Sequence, residues 1–172
     1  MLNPVTTHKS KVCFGYTNKA MNGLFLPFFD YDNIKADNMI KELIFLKDKY
    51  QLSQIYIFSS KNGFNALSLD KLPYRILCNL YEDCKLVCND YLQLGLKRSF
   101  LTLRIGHDKE LFHIIESSNT YYKKSLAHAI LLNVFFNVFV DIHNDKLFDN
   151  SMYIRLKAYR SEKHGFLKVK DL

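Results

Sequence analysis

The chain has 172 residues, 48% apolar and 24% charged, a balance that excludes a disordered or fibrous segment and fits a single domain over residues 1–172. At this size roughly 70% of the unfolded surface is buried on folding, so a core forms without metal or disulfide staples. Lys and Arg number 24 against 17 Asp and Glu, a net charge of +7, which suits a phosphate-bearing partner.

Residues 1–11 lack the apolar centre of a secretory signal, so a cytoplasmic protein is expected. The run Leu24-Phe25-Leu26-Pro27-Phe28-Phe29 is short, aromatic and apolar, and leads into Asp30-Tyr31-Asp32. It reads as a buried strand carrying two acids at its far end. Ala36, Met39, Ile40, Leu43 and Ile44 then recur at helical spacing, which predicts an amphipathic helix. Residues 54–58 read as a strand, 59–63 as a tight loop and 64–67 as a second strand. Pro73 opens a helix to about residue 84, residues 86–88 suggest a brief strand, and residues 100–105 alternate as a strand with Arg104 near its end. A last helix runs from Leu126, although Val138-Phe139-Val140 could open a strand. The apolar run 127–140, broken by Asn133 and Asn137, is shorter than the ~20 residues of a membrane helix, so no membrane contact is expected. The order of elements favours an α/β (α+β) fold, a small mixed sheet packed with helices.

Period two places Asp30 and Asp32 on one strand face with Tyr31 turned away. Two such carboxylates repel unless positive charge lies near them, and oxygen donors of this kind favour Mg2+ or Mn2+. The alternative is turn chemistry or capping of the following helix. Ser59-Ser60-Lys61-Asn62-Gly63-Phe64-Asn65 offers hydroxyls, an ammonium and a tight turn, all suited to phosphate oxygens, or simply a hairpin turn.

In their order, these segments resemble the catalytic core of the archaeo-eukaryotic primase superfamily over roughly residues 24–110. Phe29-Asp30-Tyr31-Asp32 stands where that family has an Asp-x-Asp at a strand end, and Ser59 to Asn65 where it has a Ser-Gly-x-x-Gly-x-His type loop. The resemblance implies a primase-like catalytic core and a DNA-templated nucleotidyltransferase of a replication system. Asp30, Asp32 and Asp90 would be its catalytic acids and metal ligands, holding two divalent ions for two-metal phosphoryl transfer. Ser59, Ser60, Lys61, Asn62, Asn65 and Arg104 would bind the nucleotide. Its partners would be a single-stranded template, nucleoside triphosphates and a helicase or other replication protein. Asn65 departs from the family's His, and Asp141 is an alternative third acid.

Two rival readings remain: a catalytically inactive nucleic-acid-binding replication module on the same surface, and a Tyr-dependent rolling-circle nickase using Tyr121 or Tyr122. The latter lacks an accompanying His-hydrophobic-His pair, and His107, His113 and His128 show no metal spacing. Cys13, Cys78, Cys84 and Cys88 form no CxxC pair and read as free thiols, with zinc open only if Cys13 or a His joins Cys84 and Cys88 on one helical face. The basic stretch Arg155, Lys157, Arg160, Lys163, Lys168 and Lys170 reads equally as a phosphate-facing surface or as a solvated strand or frayed end.

Overall fold

The computed structural model describes residues 11–105, 109–116, 122–142, 145–149 and 156–161. In chain order the elements are β1 (Lys11–Thr17), a 3-10 turn (Met21–Gly23), β2 (Leu24–Phe25), β3 (Phe28–Asp32), α1 (Ala36–Tyr50), β4 (Ile55–Ser60), β5 (Gly63–Ser68), β6 (Leu72–Pro73) and α2 (Tyr74–Asp83). They continue with α3 (Asn89–Arg98), β7 (Thr102–Ile105), β8 (Glu110–Ile115), β9 (Lys124–Ser125), α4 (Leu126–Phe136), β10 (Phe148–Asp149) and β11 (Leu156–Ser161).

The principal sheet has the order β3-β5-β4-β8, and a second has the order β11-β1-β7. Every neighbouring pair in both is antiparallel. The fold is therefore α+β with small antiparallel sheets, and the short β9-β10 ladder supplies a parallel pair. Because β5 lies between β3 and β4, those two strands run parallel, and α1 makes the crossover between them. Their C-terminal ends consequently share one edge of the sheet, which brings Asp32 and Ser60 to the same side.

Two apolar clusters sandwich the principal sheet. On one face Phe29, Tyr31, Ile55, Ile57 and Ala66 pack with Met39, Leu43 and Leu46 of α1 and Leu77 and Leu80 of α2. On the other, Phe28, Tyr56, Phe58 and Leu67 pack with Tyr16 of β1, Leu103 of β7 and Ala129, Leu132 and Phe136 of α4. The period-two apolar pattern of β3, β4 and β5 is buried on both faces, which is why these strands read as near-continuous apolar runs. Buried Asn18 ties the second sheet to the first: its amide donates to Leu26 O at 3.0 Å, and its Oδ1 accepts from Leu101 N at 2.8 Å.

Strand β3 is an edge strand, and α2 closes that edge. The Tyr81 hydroxyl accepts from Phe28 N and donates to Phe28 O, each at 2.9 Å. Residues 86–88 do not form the expected strand. They lie in the connection between α2 and α3, where Cys88 N donates to Asp30 O at 2.8 Å. Val138-Phe139-Val140 does not open a strand either, because Asn137 (φ 51°) ends α4 in the left-handed region and Val138 N returns to Leu132 O at 3.2 Å, an αL-type helix stop.

Candidate functional site

Along β3, burial falls from Phe28, fully enclosed, through half-buried Asp30 to exposed Asp32. The three share a face, so one strand carries the chain from apolar core to open polar end within five residues. Cross-strand register completes the face: Asp30 lies opposite Asn65, itself opposite Phe58, and Asp32 lies opposite Gly63, itself opposite Ser60. Ser60 thus shares the acid face. Ser59 alternates to the other face, where its hydroxyl donates to Glu110 O at 3.4 Å. Lys61 and Asn62 are exposed at the hairpin turn, and Asn62 O accepts from Asn33 N at 3.0 Å.

Gly63 is required by close approach rather than by a special φ. A Cβ built there would sit 1.9 Å from Tyr31 O, so any side chain would push β3 off β5.

Beside Asp30, across the strands on the same face, runs a chain of polar groups. Asn65, 6% exposed, donates from Nδ2 to Asp30 Oδ1 at 2.5 Å, and its Oδ1 accepts from the ammonium of Lys109, itself 9% exposed. Sequence reasoning missed Lys109. A signal was present: it lies two residues before the run Leu111-Phe112-His113-Ile114-Ile115, and reading that run as a strand would have brought Lys109 to the sheet.

The connection leading into α3 is held beside the β3 edge through α1, which packs on the opposite face. Glu42 accepts from Lys85 N at 2.8 Å and Leu86 N at 3.0 Å on one oxygen, and from the Tyr31 hydroxyl at 3.2 Å on the other. This fixes the connection so that Cys88 reaches Asp30 O through its backbone and Asp32 through its thiol. Burial pushes the Cys88 thiol pKa up, and the hydrogen bond to Asp32 and the nearby Asp30 charge raise it further. Asp90 follows two residues later, exposed in the first turn of α3.

The other sequence candidates fall elsewhere. Arg104 lies on β7 opposite Gly15, in the second sheet. Asp141 lines a separate cavity of about 590 Å³ with Gln54, Tyr56, Lys124 and Asp145, at the end of β4 remote from Ser60. Cys84 and Cys88 do not share a helical face, since Cys84 follows α2 and Cys88 precedes α3. Cys78, Cys84 and Cys88 are free thiols. Among the described residues, no three His, Cys, Asp or Glu side chains are grouped to hold a metal ion.

His128 is fully buried, with Nε2 on Thr17 O at 2.9 Å and Nδ1 on the Ser125 hydroxyl at 2.8 Å. Burial lowers its pKa to about 4, so it is a neutral packing residue. His113 is exposed on β8, and Tyr122 is half-buried. His107 and Tyr121 lie outside the described residues. Of the basic stretch, Lys157 and Arg160 fall on β11, Arg155, Lys163, Lys168 and Lys170 outside the described residues. No helix among the described residues is long and apolar enough to cross a membrane. Compared with protein-family models, with curated proteins and with solved structures, the chain matches none of them.

Proposed function

We propose that this chain is a primase-type nucleotidyltransferase of a replication system, extending a strand on a single-stranded template from nucleoside triphosphates. The observation that carries the reading is the cross-strand arrangement at the open end of one sheet face, where Asp30 and Asp32 stand beside Ser60 and the Lys61-Asn62 turn. Two hard oxygen donors on one face fit Mg2+ or Mn2+, ions usually held by one or two carboxylates together with waters and substrate phosphates. Asp30 and Asp32 would hold the ion; Asp90, exposed in the first turn of α3, is not grouped with them. A bound ion supplies activation of the attacking hydroxyl and neutralisation of triphosphate charge.

The chain's own residues bind and orient. The Ser60 hydroxyl, Lys61 ammonium and Asn62 amide all lie at or beside the turn, where they donate to phosphate oxygens. Arg104, on β7 of the second sheet, and Ser59, turned to the other face, lie outside this arrangement. Asn65 orients Asp30 from the neighbouring strand. The net charge of +7 draws the template backbone to the protein. A helicase or another replication protein is the expected companion.

A second reading, a catalytically inactive nucleic-acid-binding module, has its own support in the ammonium of Lys109, which balances the Asp30 charge through Asn65. The deciding experiment measures nucleotide incorporation on a single-stranded template with Mg2+ or Mn2+. Incorporation is expected from the parent chain and lost in Asp30→Ala/Asp32→Ala. Template binding without incorporation in the parent chain would establish the binding module instead.

A further inference from the structure

Paired carboxylates on one strand face need compensating charge, and a buried ammonium needs a partner just as strongly. Lys109 and Asp30 meet both needs across a single amide. Asn65 is 6% exposed and held from both sides: its carbonyl oxygen accepts from Lys109 and its NH2 donates to Asp30 Oδ1. This polarity fixes the orientation of the amide, since the reverse orientation would face an NH2 to an ammonium and a carbonyl to a carboxylate. Lys109 is itself only 9% exposed, so its charge acts through protein more than through water and is weakly screened.

We infer that Lys109 is a resident cation of the acid face: it stands, by charge, in place of one of the two divalent ions, so that Asp30 and Asp32 take a single ion whose affinity Lys109 limits. This deepens the nucleotidyltransferase reading and rests on its assignment of Asp30 and Asp32 as the ion's ligands. The fixed ammonium repels an arriving dication and, by the same sign, attracts a triphosphate.

The test is Mn2+ binding to the full chain, followed by loss of the free-ion electron paramagnetic resonance signal, with no nucleotide present. The parent chain is expected to bind at most one ion. Lys109→Gln keeps a donor for the Asn65 carbonyl but removes the charge, and should tighten Mn2+ binding by roughly three- to tenfold. Lys109→Arg keeps the charge and should match the parent. A purely structural lysine would give the opposite sign, because disordering Asp30 weakens the ion. If Lys109→Gln does not fold, as judged by circular dichroism, Lys109→Met serves for the same measurement. Equal or weaker binding in the folded charge-removing variant overturns the inference while leaving the nucleotidyltransferase reading standing. Binding that appears only when the charge is removed supports the inference and counts against a metal-dependent parent enzyme. Binding in neither overturns the inference, and the nucleotidyltransferase reading is then decided by the incorporation assay.

Discussion

Asp30 and Asp70 are both carboxylates held by polar side chains on the principal sheet, yet they belong to different kinds of site. Asp70 has no exposure and accepts at one oxygen from Ser53 N at 2.7 Å, Ser53 Oγ at 3.0 Å and Ser68 Oγ at 2.5 Å. Its donors come from the loop before β4 and the end of β5, so it staples the closed end of the sheet. Asp30 is half-buried, meets an amide backed by an ammonium, and leads directly to exposed Asp32. A carboxylate bonded by a backbone N–H and two hydroxyls and sealed from water serves stability. One placed beside a cation at the open end of a strand is placed for a ligand.

The widest separation between the two ends should come from truncation. Asp70→Ala leaves a backbone N–H and two hydroxyls without their acceptor and is expected to cost about 4 kcal/mol in urea unfolding. Asp32→Ala, on an exposed side chain, should change stability by less than about 0.5 kcal/mol while removing incorporation. Equal stability losses would erase the distinction.

Next in size is acid sensitivity at the closed end. The unfolded chain binds a proton at His128 below its ordinary pKa of 6.5, whereas the folded chain resists until about pH 4. Stability supplied by neutral His128 is therefore complete above pH 6.5 and falls as pH drops towards 4, by about 3 kcal/mol in all. Urea midpoints across that range should show the slope, and His128→Gln should flatten it.

Gly63→Ala tests the join between β3 and β5 at the open end. With its Cβ driven against Tyr31 O, it should cost about 2 kcal/mol in urea unfolding. The smallest effect belongs to the turn. Lys61→Ala, exposed, should leave stability unchanged and raise the apparent nucleotide constant roughly threefold.

Strongly periodic elements were legible in the sequence. β3, α1, the β4–β5 hairpin, α2, β7 and α4 follow from apolar spacing, and register then sets Asp30, Asp32, Asn65 and Ser60 on one face. Helix α3 was not legible, because Asn89-Asp90-Tyr91-Leu92-Gln93-Leu94-Gly95 mixes polar residues and a glycine into its first turns. Strand β8 hid for another reason: its first four residues are exposed, and a register shift near Ile57/Phe58 breaks its alternation. With β8 unread, Lys109 had no place on the sheet, and the charge beside Asp30 was assigned wholly to metal.

The Tyr81 hydroxyl has one further implication. By donating to and accepting from the same residue of β3, a phenol substitutes for the peptide group of a neighbouring strand and brings the ladder to a stop there. Tyr81→Phe keeps the ring over the strand but leaves a donor and an acceptor of enclosed Phe28 sealed away from both partner and water. Its symptom should be a loss of about 2 kcal/mol in urea unfolding with the sedimentation coefficient unchanged.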